Sequence, residues 1–419
     1  MTFFLIIAIF LLILFGAPIF VIISGLSLFL FFSSQIDSSA MIIEMYRIAT
    51  TPILVAIPLF TFAGYLLSES GAPKRLIRLS DALLGWLPGG LSIIALFACA
   101  IFTALTGATG LTIIALGGIL FPALIQGRYP EKFSLGLLTT SGTLGLLFPP
   151  SLPLILYAIV AKVGIDQLFL AGILPGILLV ILLSAFSIQK AALSEIPRTK
   201  FNLSEVFRAL WEMIWEFPLP VVVLGGIYSG YFVISEAAAI TAIYVLFVEV
   251  VIYRDIKWRD LPRIMRKSMV LVGGILIILG AALGLTNYLI DEEIPMKMLD
   301  FFKAHITSPF VFLVVLNFFL LAVGCIMGIF SALTVVVPLI TPIAHAYGIH
   351  PIHLGIIFLT NLEIGASIPP LGINLFISSI RFEKPVLRLY LASLPFIAIL
   401  LVGLAIITYF PWFSLALLK

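Results

Sequence analysis

"GTLGLLFPPS", residues 142–151, lies inside a long apolar stretch that otherwise has the character of a membrane-spanning helix. Pro149 and Pro150 remove two backbone donors and push Phe148 out of the helical region. Gly142 and Gly145 loosen the turn just before them. The chain breaks again in "IGASIPPLGI", residues 364–373, where Gly365 stands before Pro369 as Gly145 stands before Pro149. The fold has to accommodate two interrupted helices in apolar surroundings.

Composition says what those surroundings are. Of 419 residues, 62% are hydrophobic and 10% charged, and the mean hydropathy is +1.25. A soluble domain carries about 25% charged residues. Several windows exceed the ~18 apolar residues that signal a spanning helix, so the chain reads as an all-α polytopic membrane protein with roughly 10–12 membrane segments, broken and re-entrant ones included. A net charge of +3 gives no reason to expect a nucleic-acid partner. Cys99 and Cys325 are isolated in apolar runs and read as small buried hydrophobes. The first 32 residues lack a basic leader and are too long for a signal-peptide core, so they read as a retained segment broken at Gly16-Ala17-Pro18.

Charge marks the connections. "APKRLIRLSD" (72–81) is basic and amphipathic, with Leu76, Leu79, Leu83 and Leu84 at helical spacing, which predicts a helix lying in the membrane interface. Residues 189–210 form the longest polar connection, and "YRDIKWRDLPRIMRK" (253–267) carries six Lys or Arg. Two spans, about 215–233 and 235–252, separate these basic loops, so both are expected on one side, the cytoplasmic one.

The chain also repeats. Pro122 and Pro149 are 149−122 = 27 residues apart, and Pro342 and Pro369 are 369−342 = 27 apart. Each pair encloses a turn near a proline (Pro130, Pro351) and ends in Gly-x-x-x-Pro-Pro. Repeats with matched helix breaks point to the binding site of a secondary transporter. Irregular backbone at membrane depth is tolerated only where it is buried in protein or lines a wet cavity. There the free carbonyls of one stump replace the water shell of Na⁺, and the free amides of the other favour an anion; the plain alternative is a proline kink. Upstream of each break lies a small-residue stretch suited to the tip of a re-entrant hairpin, "TALTGATGLT" at 103–112 and "GCIMGIFS" at 324–331; the alternative there is close helix packing. The first Na⁺ site is therefore expected at Thr106, Gly107, Thr109, Gly145, Phe148 and Pro150, and a second at Gly324, Gly328, Gly365, Ile368 and Pro370. With no Arg or Lys in the apolar zone of either hairpin, an anion would meet backbone amides together with Ser151, Tyr157, Asn361 and Asn374.

Among charged residues, Glu363 lies two places before the second break, and an intramembrane carboxylate is a functional candidate by default. Glu236 follows the turn "SGYFVIS" and is either functional or a helix-start acid. His345, His350 and His353 surround a turn and do not read as a metal site, and no phosphate loop or hydrolase motif is present, so the chain is not expected to be an enzyme. A channel built on re-entrant segments is the alternative function; two inequivalent repeats in one chain suit alternating access better. A membrane enzyme ranks third, with Glu363 as its one candidate group.

"LLGWLPGGLSI" (83–93), "GTLGLLFPPSLPLILY" (142–157), "GGIYSGYFVISEAAAITAIY" (225–244) and "NLEIGASIPPLGINLF" (361–376) together resemble the large membrane subunit of TRAP (tripartite ATP-independent periplasmic) transporters, a DctM-like chain, over nearly the whole length. The resemblance implies Na⁺-coupled import of an organic anion across the bacterial inner membrane, with a periplasmic substrate-binding protein, a small four-helix membrane subunit and an elevator motion. It also marks departures. Ile368-Pro369-Pro370 stands where the family has Thr-Pro-Pro, Tyr231–Glu236 replaces a Phe-Thr-Pro-Thr-Glu run, and no Asp lies near Gly328. The expected organisation is scaffold helices and arm (1–70); a first core repeat (71–194) with hairpin 100–125 and broken helix 134–162; cytoplasmic loops and scaffold helices (195–291); a second core repeat (292–385) with hairpin 309–342 and broken helix 353–380; and a C-terminal helix (386–419).

Overall fold

The computed structural model describes residues 17–193 and 201–418. All its regular elements are helical. Among the described residues, eight helices are long and apolar enough to cross a membrane, and the pair Glu131–Leu147 with Leu152–Ala161, bent by 47°, passes the same test when taken as one broken span. The N-terminal segment before residue 17 lies outside the described residues; helix α1 (Ile19–Ser33) begins directly after Pro18, where a fixed φ and a missing donor suit a helix start.

After α3 (Ala56–Glu69), the first repeat runs α4 (Ala72–Leu84), α5 (Gly90–Thr106), α6 (Thr109–Gln126), α7 (Glu131–Ser141), a 3₁₀ turn (Leu144–Leu147), α8 (Leu152–Ala161) and α9 (Ile165–Leu193). Helices α10 (Leu203–Glu212), α11 (Pro218–Tyr228), α12 (Ile234–Phe247, continued by a π-helical turn Val248–Ile252) and the long α13 (Leu261–Asp291) precede the second repeat. That repeat runs α14 (Ile294–His305), α15 (Pro309–Ile326), α16 (Ile329–Ala346), α17 (Pro351–Gly365), α18 (Ile373–Phe382) and α19 (Val386–Tyr409), followed by the short α20 (Trp412–Leu415). With an offset of 369−149 = 220 residues, α5–α6 matches α15–α16 and α7–α8 matches α17–α18. The repeat extends to the shorter helices α4 and α14 and to the long α9 and α19.

Both hairpins turn within two residues, at Gly107-Ala108 and Met327-Gly328. The first begins at Gly90 rather than near residue 100, because Gly89 supplies a left-handed residue that ends the preceding turn. The repeats interlock. Helix α6 packs on α18, and its counterpart α16 packs on α8, so each hairpin leans on the broken helix of the other repeat. Helix α19 covers α7, and α9 lies against α5 and α17. Around this block, α13 carries α1, α2 (Ser39–Ala49) and α3 on its flank and touches α16.

Three expectations shift. Of residues 189–210, those described are mostly helical, since α9 continues to Leu193 and α10 begins at Leu203, capped by Asn202; residues 194–200 lie outside the described residues. At 11 residues, α11 is about 17 Å long, too short to cross alone. The chain nevertheless returns to its starting level, because Glu216 before α11 and Asp255 after the π turn both pair with Arg75. On α4, Leu76 and Leu79 are buried, whereas Leu83 is 42% exposed, and Arg75 and Arg78 bind carboxylates of the protein itself.

Candidate functional site

Hydroxyl groups organise the first break. Thr103 on α5 and Thr112 on α6 are joined Oγ1 to Oγ1 at 2.6 Å. Thr103 also donates to the Gly142 carbonyl at 2.8 Å, tying the hairpin to the last turn before the break. Gly145 lies directly on α5: a Cβ there would be 2.2 Å from the Ala100 carbonyl and 2.6 Å from the Ala104 amide. Gly107, at φ +65°, turns the hairpin tip and presses on Leu152, the first residue of α8. The residues just before each side of this contact, Thr106 and Ser151, both have buried hydroxyls with no hydrogen-bond partner among the described residues. Buried polar atoms are almost always paired, so two orphaned oxygens on adjoining segments suit an added cation or polar ligand. The peptide between Pro149 and Pro150 is cis, and residues 149–152 are buried throughout. The Phe148 ring rests on Gly176 of α9.

Thr109, grouped by sequence with that first set, keeps its backbone carbonyl beside Gly142, 3.4 Å from where a Cβ would stand, but its hydroxyl faces elsewhere. That hydroxyl donates to Oδ1 of Asn374 at 3.0 Å, across the repeat boundary. Asn374 Nδ2 reaches the Ser367 hydroxyl at 3.4 Å, and its backbone N–H donates to the Ala366 carbonyl at 3.0 Å. Asn374 is thus a strut between the first hairpin tip and the second break, and its own amide is not free for an anion.

The second ion set is only partly gathered. Gly324 and Gly365 touch backbone to backbone, as Ala104 and Gly145 do one repeat earlier. The Ile368 carbonyl is occupied by the Gly372 amide at 3.0 Å and by the Cys325 thiol at 3.3 Å. The Pro370 carbonyl turns outward and accepts from the Tyr390 hydroxyl. Gly328 has nothing within 4 Å of a built Cβ and is exposed. The reason is burial: the first break is roofed by α3, whose Gly64 meets Thr106, while the second opens to the surface at Pro370 and Leu371.

Two of the substrate candidates sit outside the breaks. Tyr157 is fully buried, with its hydroxyl donating to the Pro351 carbonyl at 2.8 Å and its ring against Gly355; it is a packing residue between α8 and α17. Asn361 faces α15, donating to Asn317 Oδ1 at 2.6 Å. Asn317 continues to Thr408 at 3.3 Å, whose carbonyl meets His353 Nε2, and His353 Nδ1 meets Ser414. This buried polar chain binds α15, α17, α19 and α20 together. Glu236 is exposed and accepts from the Val233 amide at 3.1 Å, so it caps its own helix. Glu363 is buried and makes no ion pair among the described residues; its Oε1 has no hydrogen-bond partner. Cys99 and Cys325 are free and buried.

Thr103 and Thr112 are candidate functional positions whose one sequence signal is the recurrence of threonine at every third position from 103 to 112. Tyr390 and Asn317 lie too far along the chain for any local signal.

The family profile described as "Tripartite ATP-independent periplasmic transporter, DctM component" matches residues 6–413. The chain belongs to this TRAP permease family. It is 36% identical over 394 residues to the C4-dicarboxylate TRAP transporter large permease protein DctM of Pseudomonas aeruginosa, covering 94% of this chain and 92% of that protein. It is 31% identical to the sialic acid TRAP transporter large permease protein SiaM of Vibrio cholerae, over 87% and 86% of the two chains. The ectoine TRAP transporter large permease protein TeaC of Halomonas elongata shares 30% identity over 87% and 86%. The crystal structure of the Alcanivorax borkumensis YdaH transporter has a similar fold, with a TM-score of 0.62 at 15% identity, covering 90% of this chain and 89% of that one. This TRAP permease is accordingly a multi-pass inner-membrane transport protein rather than an enzyme, of a family that works with a small membrane subunit and a periplasmic binding protein.

Proposed function

We propose that this permease imports an organic acid, in symport with Na⁺, from a periplasmic substrate-binding protein, with the interlocked repeats moving as one body against the flanking helices in an elevator motion. The observation that carries the proposal is the pair of orphaned hydroxyls, Thr106 and Ser151, where the first hairpin tip meets the first broken helix. A Na⁺ ion held there by Thr106 and nearby backbone carbonyls would neutralise partial negative charge at the stump of the 3₁₀ turn. The start of α8, with the Ser151 hydroxyl and the Leu152 amide, would then present positive potential to a carboxylate. Ion and anion would stabilise each other, which is how a gradient of one drives the other. Two C4-dicarboxylate permeases, at 36% and 34% identity, favour a dicarboxylate over a sugar acid. The small four-helix subunit and the lipid bilayer would hold the flanking helices still.

The test is uptake in proteoliposomes containing the permease, its small subunit and its binding protein. Labelled succinate should accumulate only with an inward Na⁺ gradient and should exchange against internal unlabelled succinate. Accumulation without Na⁺ would remove the ion from the proposal, and flux without exchange would point to a channel.

A further inference from the structure

One guanidinium joins four segments of the chain. Arg75 on α4 donates through Nε and Nη2 to Glu216 at 3.0 and 2.6 Å. Nη2 also reaches Glu249 at 3.1 Å, and Nη1 reaches Asp255 at 2.7 Å. Asp255 accepts the Gly71 amide at 2.8 Å as well, and the Arg75 guanidinium stacks 3.8 Å over the Tyr253 ring. The π-helical turn Val248–Ile252 supplies Glu249; such single turns are often found at functional positions. Three carboxylates thus face one cation. The side chain of Glu249 is 0% exposed and that of Glu216 is 5% exposed. Each keeps one buried oxygen without a donor, Oε1 of Glu249 and Oε2 of Glu216. The two carboxylates meet at one nitrogen, since Arg75 Nη2 donates to both. Two ionised carboxylates offer only acceptors to each other, and an unpaired buried charge is costly.

We propose that Glu216 and Glu249 form a proton-binding site, in which one shared proton closes the junction between α4 and the flanking helices and loss of that proton opens it. Protonation turns two repelling acceptors into a donor–acceptor pair and lowers the charge facing Arg75 from three carboxylates to two, one of them the partly exposed Asp255. Most of the other charged groups at the junction are engaged elsewhere. Arg78 holds Glu212 at 2.6 Å and Glu205 at 3.5 Å. Glu69 holds Lys267 at 2.6 Å and Arg263 at 3.2 Å, and Arg263 also meets Asp260. The Tyr253 and Tyr244 hydroxyls donate to the Glu212 and Trp215 carbonyls. Lys74, Asp81, Arg254 and Lys257 make no ion pair with the two glutamates among the described residues. No second cation therefore stands ready to replace the proton, which leaves to water past the partly exposed Asp255. Because α4 packs along α5, the outer arm of the first hairpin, the site bears on the element that carries Thr103 and Thr106. The closed junction binds the proton and the open one releases it, so raising the pH favours opening.

Infrared difference spectra of the permease complex in lipid nanodiscs, recorded across a pH titration, should show the carbonyl stretch of a buried carboxylic acid that disappears on raising the pH. The band should be missing in Glu249→Gln and in Glu216→Gln. In a variant with Cys99 and Cys325 replaced by alanine, a cysteine at Leu79→Cys, buried against this junction, should label up to about tenfold faster per pH unit above the transition, the limit for one released proton. Adding Glu249→Gln should hold its labelling at the low-pH rate. Absence of a titrating acid band, a band that survives both glutamine variants, or labelling that ignores pH would overturn the proposal.

Discussion

Gly145 shows how a single residue is dictated by what it touches. A methyl group there would overlap the Ala100 carbonyl at 2.2 Å, and one at Gly365 would meet the Gly324 backbone at 2.8 Å. Neither neighbour is a flexible side-chain end, so backbone must move, at a cost of about 1–3 kcal/mol. Gly145→Ala should lower Na⁺ affinity on the order of tenfold or more, since 1.4 kcal/mol is a factor of ten; Na⁺ titration of uptake checks this. Gly225→Ala, where a Cβ would meet nothing within 4 Å, is the silent control. At the repeat boundary, Asn374→Ala strands the Thr109 donor, with a penalty of about 1–3 kcal/mol. Asn374→Ala and Thr109→Val should be non-additive, because both delete the same 3.0 Å bond; additive losses in thermal stability and uptake would mean that the bond carries no weight.

Helix ends and helix contacts behave as units. Glu236 caps α12 from an exposed position, so Glu236→Ala should lower stability by about 0.5–2 kcal/mol and leave uptake at wild-type level. A large loss of transport with unchanged stability would return Glu236 to the functional set. The chain Asn361–Asn317–Thr408 pins α17, next to the second break, against α15 and α19. Asn317→Leu would strand the Thr408 hydroxyl and cost Asn361 Nδ2 one of its two acceptors, the Ile357 carbonyl remaining, at about 1–3 kcal/mol for a group left unpaired. The melting temperature in detergent should fall accordingly, more than for the exposed Glu236→Ala.

Across the whole molecule, the interlocked packing makes the elevator proposal testable. Gly110 of α6 meets the Ile377 side chain of α18, so Gly110→Cys with Ile377→Cys, in a chain lacking Cys99 and Cys325, would join elements proposed to move together. Gly64 of α3 lies against the Leu105 carbonyl and the Thr106 backbone of α5, so Gly64→Cys with Leu105→Cys would join elements proposed to move apart. Oxidative cross-linking should spare uptake in the first pair and block it in the second. Blockage in both would mean that motion occurs within the interlocked block.

The all-helical membrane class, both hairpins and both breaks were legible in the sequence, because proline, glycine and long apolar runs act on the backbone locally, whatever surrounds them. The 220-residue offset between Pro149 and Pro369 exposed the repeat for the same reason. Side-chain partnerships were not legible, since they depend on which face of one helix meets another far along the chain. Thr109 looked like a neighbour of Gly145, yet the interlock of α6 with α18 turns its hydroxyl toward Asn374. Asn361 and Tyr157 carry the right chemistry for a ligand, but packing directs one to Asn317 and the other to Pro351. The two breaks have matching sequences, and only tertiary packing makes them unequal: α3 closes over the first, whereas the second faces outward at Pro370. The sequence by itself determined where the backbone must break; the arrangement of helices around each break decided which of its polar groups remain free to bind.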